Sequence, residues 1–253
     1  MLLVLDVGNT NTVMGIYKGE KLLQHWRLTS KRQTVDEVGF MIQGLLESYS
    51  INRNDIKAAM YASVVPSLDE MFMQGVREYI KVPVKKVTTN LDTGLTIKIN
   101  NPSGLGADRL LNAVAGISKY GAPLVIVDLG TAITLDVIAS DGSYIGGTIS
   151  PGMELGMESL FSRTAKLPQI ALEAPGHYIG VDTTEAIQSG IVYGTAGMVD
   201  TLLRGVFREL GGECRVVATG GHAQIMTEYS EIIKEADQWL TLDGLRILYD
   251  KNR

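Results

Sequence analysis

The chain has 253 residues, 45% of them apolar and 20% charged, with a net charge of −5. That supplies material for a sizeable core, fits two domains of about 120 residues or one large one, and excludes a disordered chain and the basic footprint of a nucleic-acid binder. The single cysteine, Cys214, excludes an internal disulfide and a cysteine-based zinc cluster, and reads as a small, half-buried hydrophobe.

In chain order, Leu2–Asp6, Thr12–Tyr17 and Lys21–Leu28 read as a strand meander, with Lys18–Gly19 as the first turn. Asp6 breaks the first apolar run, no basic segment precedes it, and no stretch reaches the roughly 20 apolar residues of a membrane span, so a cytoplasmic protein with no membrane partner is expected. The stretch TVDEVGFMIQGLLESYS is a helix by its period, with Val38, Met41, Ile42, Leu45 and Leu46 on one face and Thr34 with Glu37 as a capping box. Ala58–Ser63 is a short strand. Ser67 caps a helix to about Tyr79, and Val82–Val87 returns as a strand. The turn-rich run TTNLDTGLTIKINNPSGLGADR marks a seam, placed between residues 1–106 and 107–253. Beyond it, ADRLLNAVAGISKYGA is a helix stopped at Gly121. A strand hairpin and helical MELGMESLFSRTA follow. A long helix from about Thr184 to Leu210, a strand in CRVVATGG, two further helices and a solvated C-terminal end complete the chain.

The opening pattern Asp6-x-Gly8-x-x-x-Thr12 recurs about 120 residues later as Asp128-x-Gly130-x-x-x-Thr134, each after a β-branched run and before a second strand. Turn chemistry alone needs no repeated acid. Gly8 and Gly130 let a ligand approach the backbone, while Asn9, Thr10, Asn11, Thr12, Thr131 and Thr134 offer amides and hydroxyls without positive charge. Two such hairpins are expected to form the two halves of a phosphate clamp, with a cation reconciling Asp6, Asp128 and a polyphosphate; oxygen ligands beside phosphate suit Mg²⁺, often through water. No Walker A sequence and no dinucleotide fingerprint occurs. In GLGADR, Gly106, Ala107, Asp108 and Arg109 stand where a loop becomes a helix, and the forked Arg109 guanidinium suits a carboxylate. The three histidines show no ligand spacing.

With these motifs in place, the chain resembles the type III pantothenate kinases. Besides the two hairpins, ASVVPS, NPSGLGADRL, IGGTISPG, RTAKLP, ATGGHA and LTLDGLRILY fit that family in order. The resemblance implies an α/β fold of duplicated ribonuclease H-like, actin-like ATPase domains, each a mixed sheet flanked by helices. It implies phosphorylation of pantothenate by ATP, the first step toward coenzyme A. The residues it carries over for ATP and its phosphates are Asp6, Val7, Gly8, Asn9, Thr10, Asn11, Thr12, Val13, Gly130 and Thr131. For pantothenate they are Gly106, Ala107, Asp108, Arg109 and Thr183, with Asp108 as the catalytic base. Asp128 would hold a monovalent cation, K⁺ or NH₄⁺, and Asp6 would face Mg²⁺. Gly220 and Gly221 match a loop near the adenine. Ile99 fills a slot where many relatives carry a tyrosine that contacts pantothenate. The family pattern is a homodimer. Two other readings share the clamp: a different phosphotransferase or a polyphosphatase, which leaves GADR unexplained, and a nucleotide-bound regulatory protein, which the presence of Asp6, Asp108 and Asp128 disfavours.

Overall fold

The computed structural model describes residues 1–88 and 90–253; Thr89, inside the turn-rich run, lies outside the described residues. Two compact units emerge. The first comprises residues 1–95, 101–115 and 240–253, and the second residues 96–100 and 116–239. A single cut after Gly106 differs from this division most at the C-terminus, where the last helix belongs to the first unit.

In the first unit β1 (Leu2–Val7), β2 (Asn11–Lys18), β3 (Lys21–Thr29), β4 (Ala58–Ser63) and β5 (Val84–Lys86) form a sheet of order β3-β2-β1-β4-β5. The first three strands are antiparallel neighbours, and β4 and β5 run parallel to β1. The central strand β1 alternates cleanly. Leu3, Leu5 and Val7 face α1 (Val35–Ser48) and α2 (Pro66–Gly75), where Val38, Ile42, Leu46, Leu68 and Phe72 complete a core. Each such side chain contributes about 1.5–3 kcal/mol on burial. The capping box forms as expected: Thr34 Oγ1 accepts from the Glu37 N–H, and Glu37 Oε2 accepts from the Thr34 N–H.

The opposite face of the sheet carries Val4, Asp6 and Gly15. Here α7 (Leu240–Lys251) packs so tightly that a Cβ on Gly15 would lie 3.0 Å from Leu242 Cδ1. Within the same unit α7 also crosses α3 (Ala107–Tyr120): a Cβ on Gly244 would stand 2.4 Å from the Leu111 carbonyl oxygen, and Thr241 donates to Asn112.

The second unit repeats the plan. Its strands β6 (Leu124–Leu129), β7 (Ala132–Ile138), β8 (Tyr144–Pro151) and β9 (Arg215–Thr219) take the order β8-β7-β6-β9, with β6 antiparallel to β7 and parallel to β9. An isolated bridge from Ala218 to Ala236 stands where β5 stands in the first unit. Val125, Val127, Leu129, Ile133 and Leu135 build its core against α5 (Thr183–Leu210) and α6 (Ala223–Tyr229). Between β8 and α5 lies α4 (Met153–Arg163). Among the described residues no helix is long and apolar enough to cross a membrane.

Four local expectations are corrected. Ser67 caps nothing: Val65 is the N-cap of α2 and Pro66 its first residue, because the fixed φ of proline suits that position. The helix does not continue regularly to Tyr79; after Gly75 a π-helical turn, Val76–Ile80, ends on Lys81 at φ 63°. The returning strand is only Val84–Lys86. The C-terminal end is tied down rather than solvated, since the Asn252 carboxamide exchanges hydrogen bonds with the Asp92 backbone. Cys214 is half-buried as expected, and burial pushes its thiol pKa up.

Two glycine substitutions test this packing. Gly244→Ala drives a methyl into the α3 backbone and should cost about 1–3 kcal/mol in a urea melt. Gly44→Ala, in α1 with nothing within 4 Å of its Cβ position, should instead stabilise by about 0.5–1 kcal/mol.

Candidate active site

In the first unit, β1 carries Asp6 near its C-terminal end, half-buried and opposite Val13. The turn closes with the Gly8 N–H donating to the Asn11 carbonyl at 3.0 Å, leaving Asn9 and Thr10 exposed. Thr12 goes elsewhere. It pairs with Val7, so its side chain shares the core face; it is fully buried, and its hydroxyl bonds the Ser30 hydroxyl at 2.9 Å. A second polar group starts from the core face of the neighbouring strand β4. The Tyr61 hydroxyl donates to Asp69 Oδ1 at 2.9 Å, and Lys86 pairs with the same carboxylate. Burial, with the charges of Asp69 and Asp6, raises the Tyr61 pKa well above the usual phenol value.

The same unit holds the start of α3. Asp108 Oδ1 accepts the Arg109 N–H at 2.8 Å, and a Cβ on Gly106 would lie 2.5 Å from that oxygen. Gly106 is therefore glycine for a steric reason: its missing side chain makes room for the Asp108 carboxylate. Ala107 is the first residue of the helix, and Asp108 and Arg109 are both half-buried in its first turn.

In the second unit, β6 carries Asp128 to the same place in its sheet, half-buried and opposite Thr134. Here the turn is one residue shorter: the Gly130 N–H donates to the Ala132 carbonyl at 3.1 Å, and Thr131 is exposed at the tip. The equal spacing of the two Asp…Thr patterns thus hides a shift. Thr134 occupies the place of Val13, not of Thr12, and looks to the Asp face rather than the core.

Two glycines press on this hairpin. A Cβ on Gly152, the N-cap of α4, would sit 2.2 Å from the Gly130 carbonyl oxygen. A Cβ on Gly220, whose φ is +91°, would sit 2.5 Å from Asp128 Oδ1. The loop after β9 therefore lies directly against the Asp128 carboxylate, held by the His222 N–H donating to the Leu129 carbonyl at 3.2 Å. His222 Nε2 lies 3.4 Å from Glu154 Oε1. Ile99 lies beside β8, 3.8 Å from a Cβ on Gly146. Thr183 is exposed at the first residue of α5; Asp182 is the cap, its carboxylate accepting the Glu185 N–H at 2.9 Å.

Sequence reasoning missed Asp136, which is fully buried and accepts from the Tyr144 hydroxyl at 2.7 Å and the Thr134 hydroxyl at 3.1 Å. Its signal was the period of β7: two residues after Thr134, it must share the Asp128 face.

The model of the family described as type III pantothenate kinase matches residues 2–205. A type III pantothenate kinase of Bacillus cytotoxicus is 44% identical over 253 residues, all of this chain and 97% of the relative. The chain belongs to the type III pantothenate kinase family. Solved structures support the fold alone. A Campylobacter jejuni protein assigned to the Baf family of transcriptional activators aligns at 21% identity and TM-score 0.58, over 99% of this chain and 98% of that one. The activator of 2-hydroxyisocaproyl-CoA dehydratase from Clostridium difficile, with bound ADPNP, aligns at 14% identity and TM-score 0.56, over 99% and 95%. The two mixed sheets, each flanked by helices, are the duplicated actin-like ATPase fold that the family resemblance implies. In this pantothenate kinase family member, Gly220 is the loop glycine that abuts Asp128.

The strength of that contact is measurable. Gly220→Ala, with a positive φ and the Asp128 carboxylate in its way, should destabilise by about 1–3 kcal/mol in denaturant melts. Gly212→Ala, where a Cβ meets nothing within 4 Å, should change stability by less than about 1 kcal/mol.

Proposed function

We propose that this protein transfers the γ-phosphoryl group of ATP to the primary hydroxyl of pantothenate, giving 4′-phosphopantothenate for coenzyme A synthesis. Family membership over the full chain supports the reaction, and one observation supports the assignment of the acceptor residue: Gly106 is open just where the Asp108 carboxylate stands. In the first unit, the Gly8–Asn11 turn supplies backbone and amide donors for phosphate oxygens. The buried Thr12 hydroxyl is turned to Ser30, so the side-chain donors here are Asn9, Thr10 and Asn11. In the second unit, Gly130 and Thr131 supply the corresponding donors.

Phosphoryl transfer has a loose transition state in which positioning and electrostatics dominate. Asp108 orients the attacking hydroxyl in line and takes its proton as the bond to phosphorus forms; the ADP oxygen leaves with the electron pair of the broken bond. Arg109 is suited to the pantothenate carboxylate through its forked donors. Thr183 and Ile99, both of the second unit, are the further residues that the resemblance assigns to pantothenate, Ile99 with an apolar surface where relatives offer a hydroxyl.

The donor set fits hard cations. No group of three or more His, Cys, Asp or Glu side chains able to hold a metal occurs among the described residues. A cation here would therefore draw on single carboxylates, hydroxyls, peptide carbonyls, phosphate oxygens and water. That suits Mg²⁺ near Asp6, through water, and K⁺ or NH₄⁺ at Asp128. When bound, these ions supply neutralising charge on the phosphates. A homodimer acting in the cytoplasm completes the reading; the exposed apolar side chains Phe161, Ile179 and Val181 of the second unit, the last two 82% and 83% exposed, support it.

The test is a substrate screen with ATP and Mg²⁺ in K⁺ or Na⁺, comparing pantothenate with sugars and polyphosphate. Product with pantothenate alone, and more in K⁺, is expected; turnover of a sugar or of polyphosphate instead would overturn the proposal. Asp108→Asn should lower kcat by about 10²–10⁴-fold while ATP binding, followed by calorimetry, persists. Full activity in that variant removes Asp108 from its role.

A further inference from the structure

Two connections of the second unit close on its hairpin. Gly152, between β8 and α4, presses on Gly130 and Thr131, and its N–H donates to the Thr131 carbonyl at 2.9 Å. Gly220, between β9 and α6, presses on Asp128 and Leu129, and the His222 N–H donates to the Leu129 carbonyl at 3.2 Å. Two residues beyond each glycine stands an ionisable side chain, Glu154 in the first turn of α4 and His222 at the cap of α6. The two meet, with His222 Nε2 3.4 Å from Glu154 Oε1. They bridge the two connections beside the hairpin tip.

The imidazole is held one way round. Its Nδ1 is buried and has no hydrogen-bond partner among the described residues, so Nε2 is the nitrogen turned to Glu154. The Glu154 side chain is 59% exposed. His222 engages one of its oxygens, and an ionised carboxylate has lone pairs to spare for further donors. Glu154 also borders a cavity of about 470 Å³, walled in part by Met157, Ile170 and Leu172. A second carboxylate, Glu158, lines that cavity, and among the described residues no lysine, arginine or histidine does. Such a lining repels phosphate. It suits a neutral group that brings hydroxyl donors on one side and an apolar ring on the other. The part of a nucleotide next to its phosphates is a sugar with two vicinal hydroxyls, and beyond it lies an aromatic base. From this we infer that Glu154 recognises the nucleoside: its carboxylate accepts from the 2′ and 3′ hydroxyls of a nucleotide whose phosphates lie on Gly130 and Thr131, and the base enters the cavity. His222 is a positioning residue that fixes the Glu154 carboxylate. This rests on the proposed phosphate role of the second hairpin, and it adds the group that tells a nucleotide from bare polyphosphate.

The test compares ATP with 2′,3′-dideoxy-ATP as phosphoryl donor to pantothenate, with Mg²⁺ present. ADP and 2′,3′-dideoxy-ADP are titrated by calorimetry without pantothenate. Wild type should prefer ATP by about 10- to 100-fold in kcat/KM, as hydrogen bonds to a charged acceptor imply. Glu154→Ala should lose most of that preference, chiefly by a higher KM for ATP. His222→Phe, which keeps a ring and removes both nitrogens, should lower the preference by about 2- to 10-fold. His222→Gln, which keeps a side-chain N–H, should stay near wild type. A merely structural His222 would lower the thermal midpoint of His222→Phe and leave the preference intact; that result removes its positioning role. Equal use of the two donors by wild type overturns the inference and leaves the kinase standing. A preference that survives in Glu154→Ala also overturns it. Should no nucleotide phosphorylate pantothenate, the proposed function falls and calorimetry decides the ribose contact: tighter binding of ADP than of dideoxy-ADP, lost in Glu154→Ala, upholds it, and equal binding overturns it.

Discussion

Hydrogen bonding along both edges of β1 and of β6 is the constraint from which the rest of the structure follows. Each strand is antiparallel to one neighbour and parallel to the other. A strand held on both sides cannot slide, and in a structure of period two its register decides which residues share a face. Leu3, Leu5 and Val7 therefore point into one core and Val125, Val127 and Leu129 into the other, so Asp6 and Asp128 must point away from those cores. The chemistry sits at the strand ends because the register allows it nowhere else.

Around that fixed frame, specificity comes from close approach. Gly106, Gly152 and Gly220 each stand where a single added carbon would meet a carboxylate or a carbonyl. Backbone brought so near to polar atoms defines a cavity more sharply than mobile side chains, and it does so without adding positive charge. The overall acidity of the chain is therefore compatible with an anionic nucleotide.

Much of this was legible in the sequence because it rests on local rules. Strand alternation located β1, β2 and β4 to within a residue or two, the Thr34–Glu37 box announced α1, and the repeated Asp-x-Gly announced a duplicated unit. What escaped depended on more than local pattern. The two turns differ by one residue, so Thr12 and Thr134, identical in spacing from their acids, look to opposite faces. No short-range rule distinguishes a three-residue from a two-residue connection when both are built of glycine and small polar residues. The Tyr61–Asp69–Lys86 group and the Tyr144–Asp136 pair unite residues on different elements, and their assembly is a property of the sheet order. The cap of α2 was displaced because proline, not serine, set the first turn.

The last twelve helical residues, Leu240–Lys251, close the Val4 and Gly15 face of the sheet that the first residues of the chain begin. Domains are generally completed in the order in which the ribosome makes them. Here the N-terminal sheet must wait with one side uncovered while everything between it and Leu242 is synthesised, so the middle of the polypeptide can finish folding before its beginning does. A nascent chain halted before residue 240 would present that bare side to chaperones.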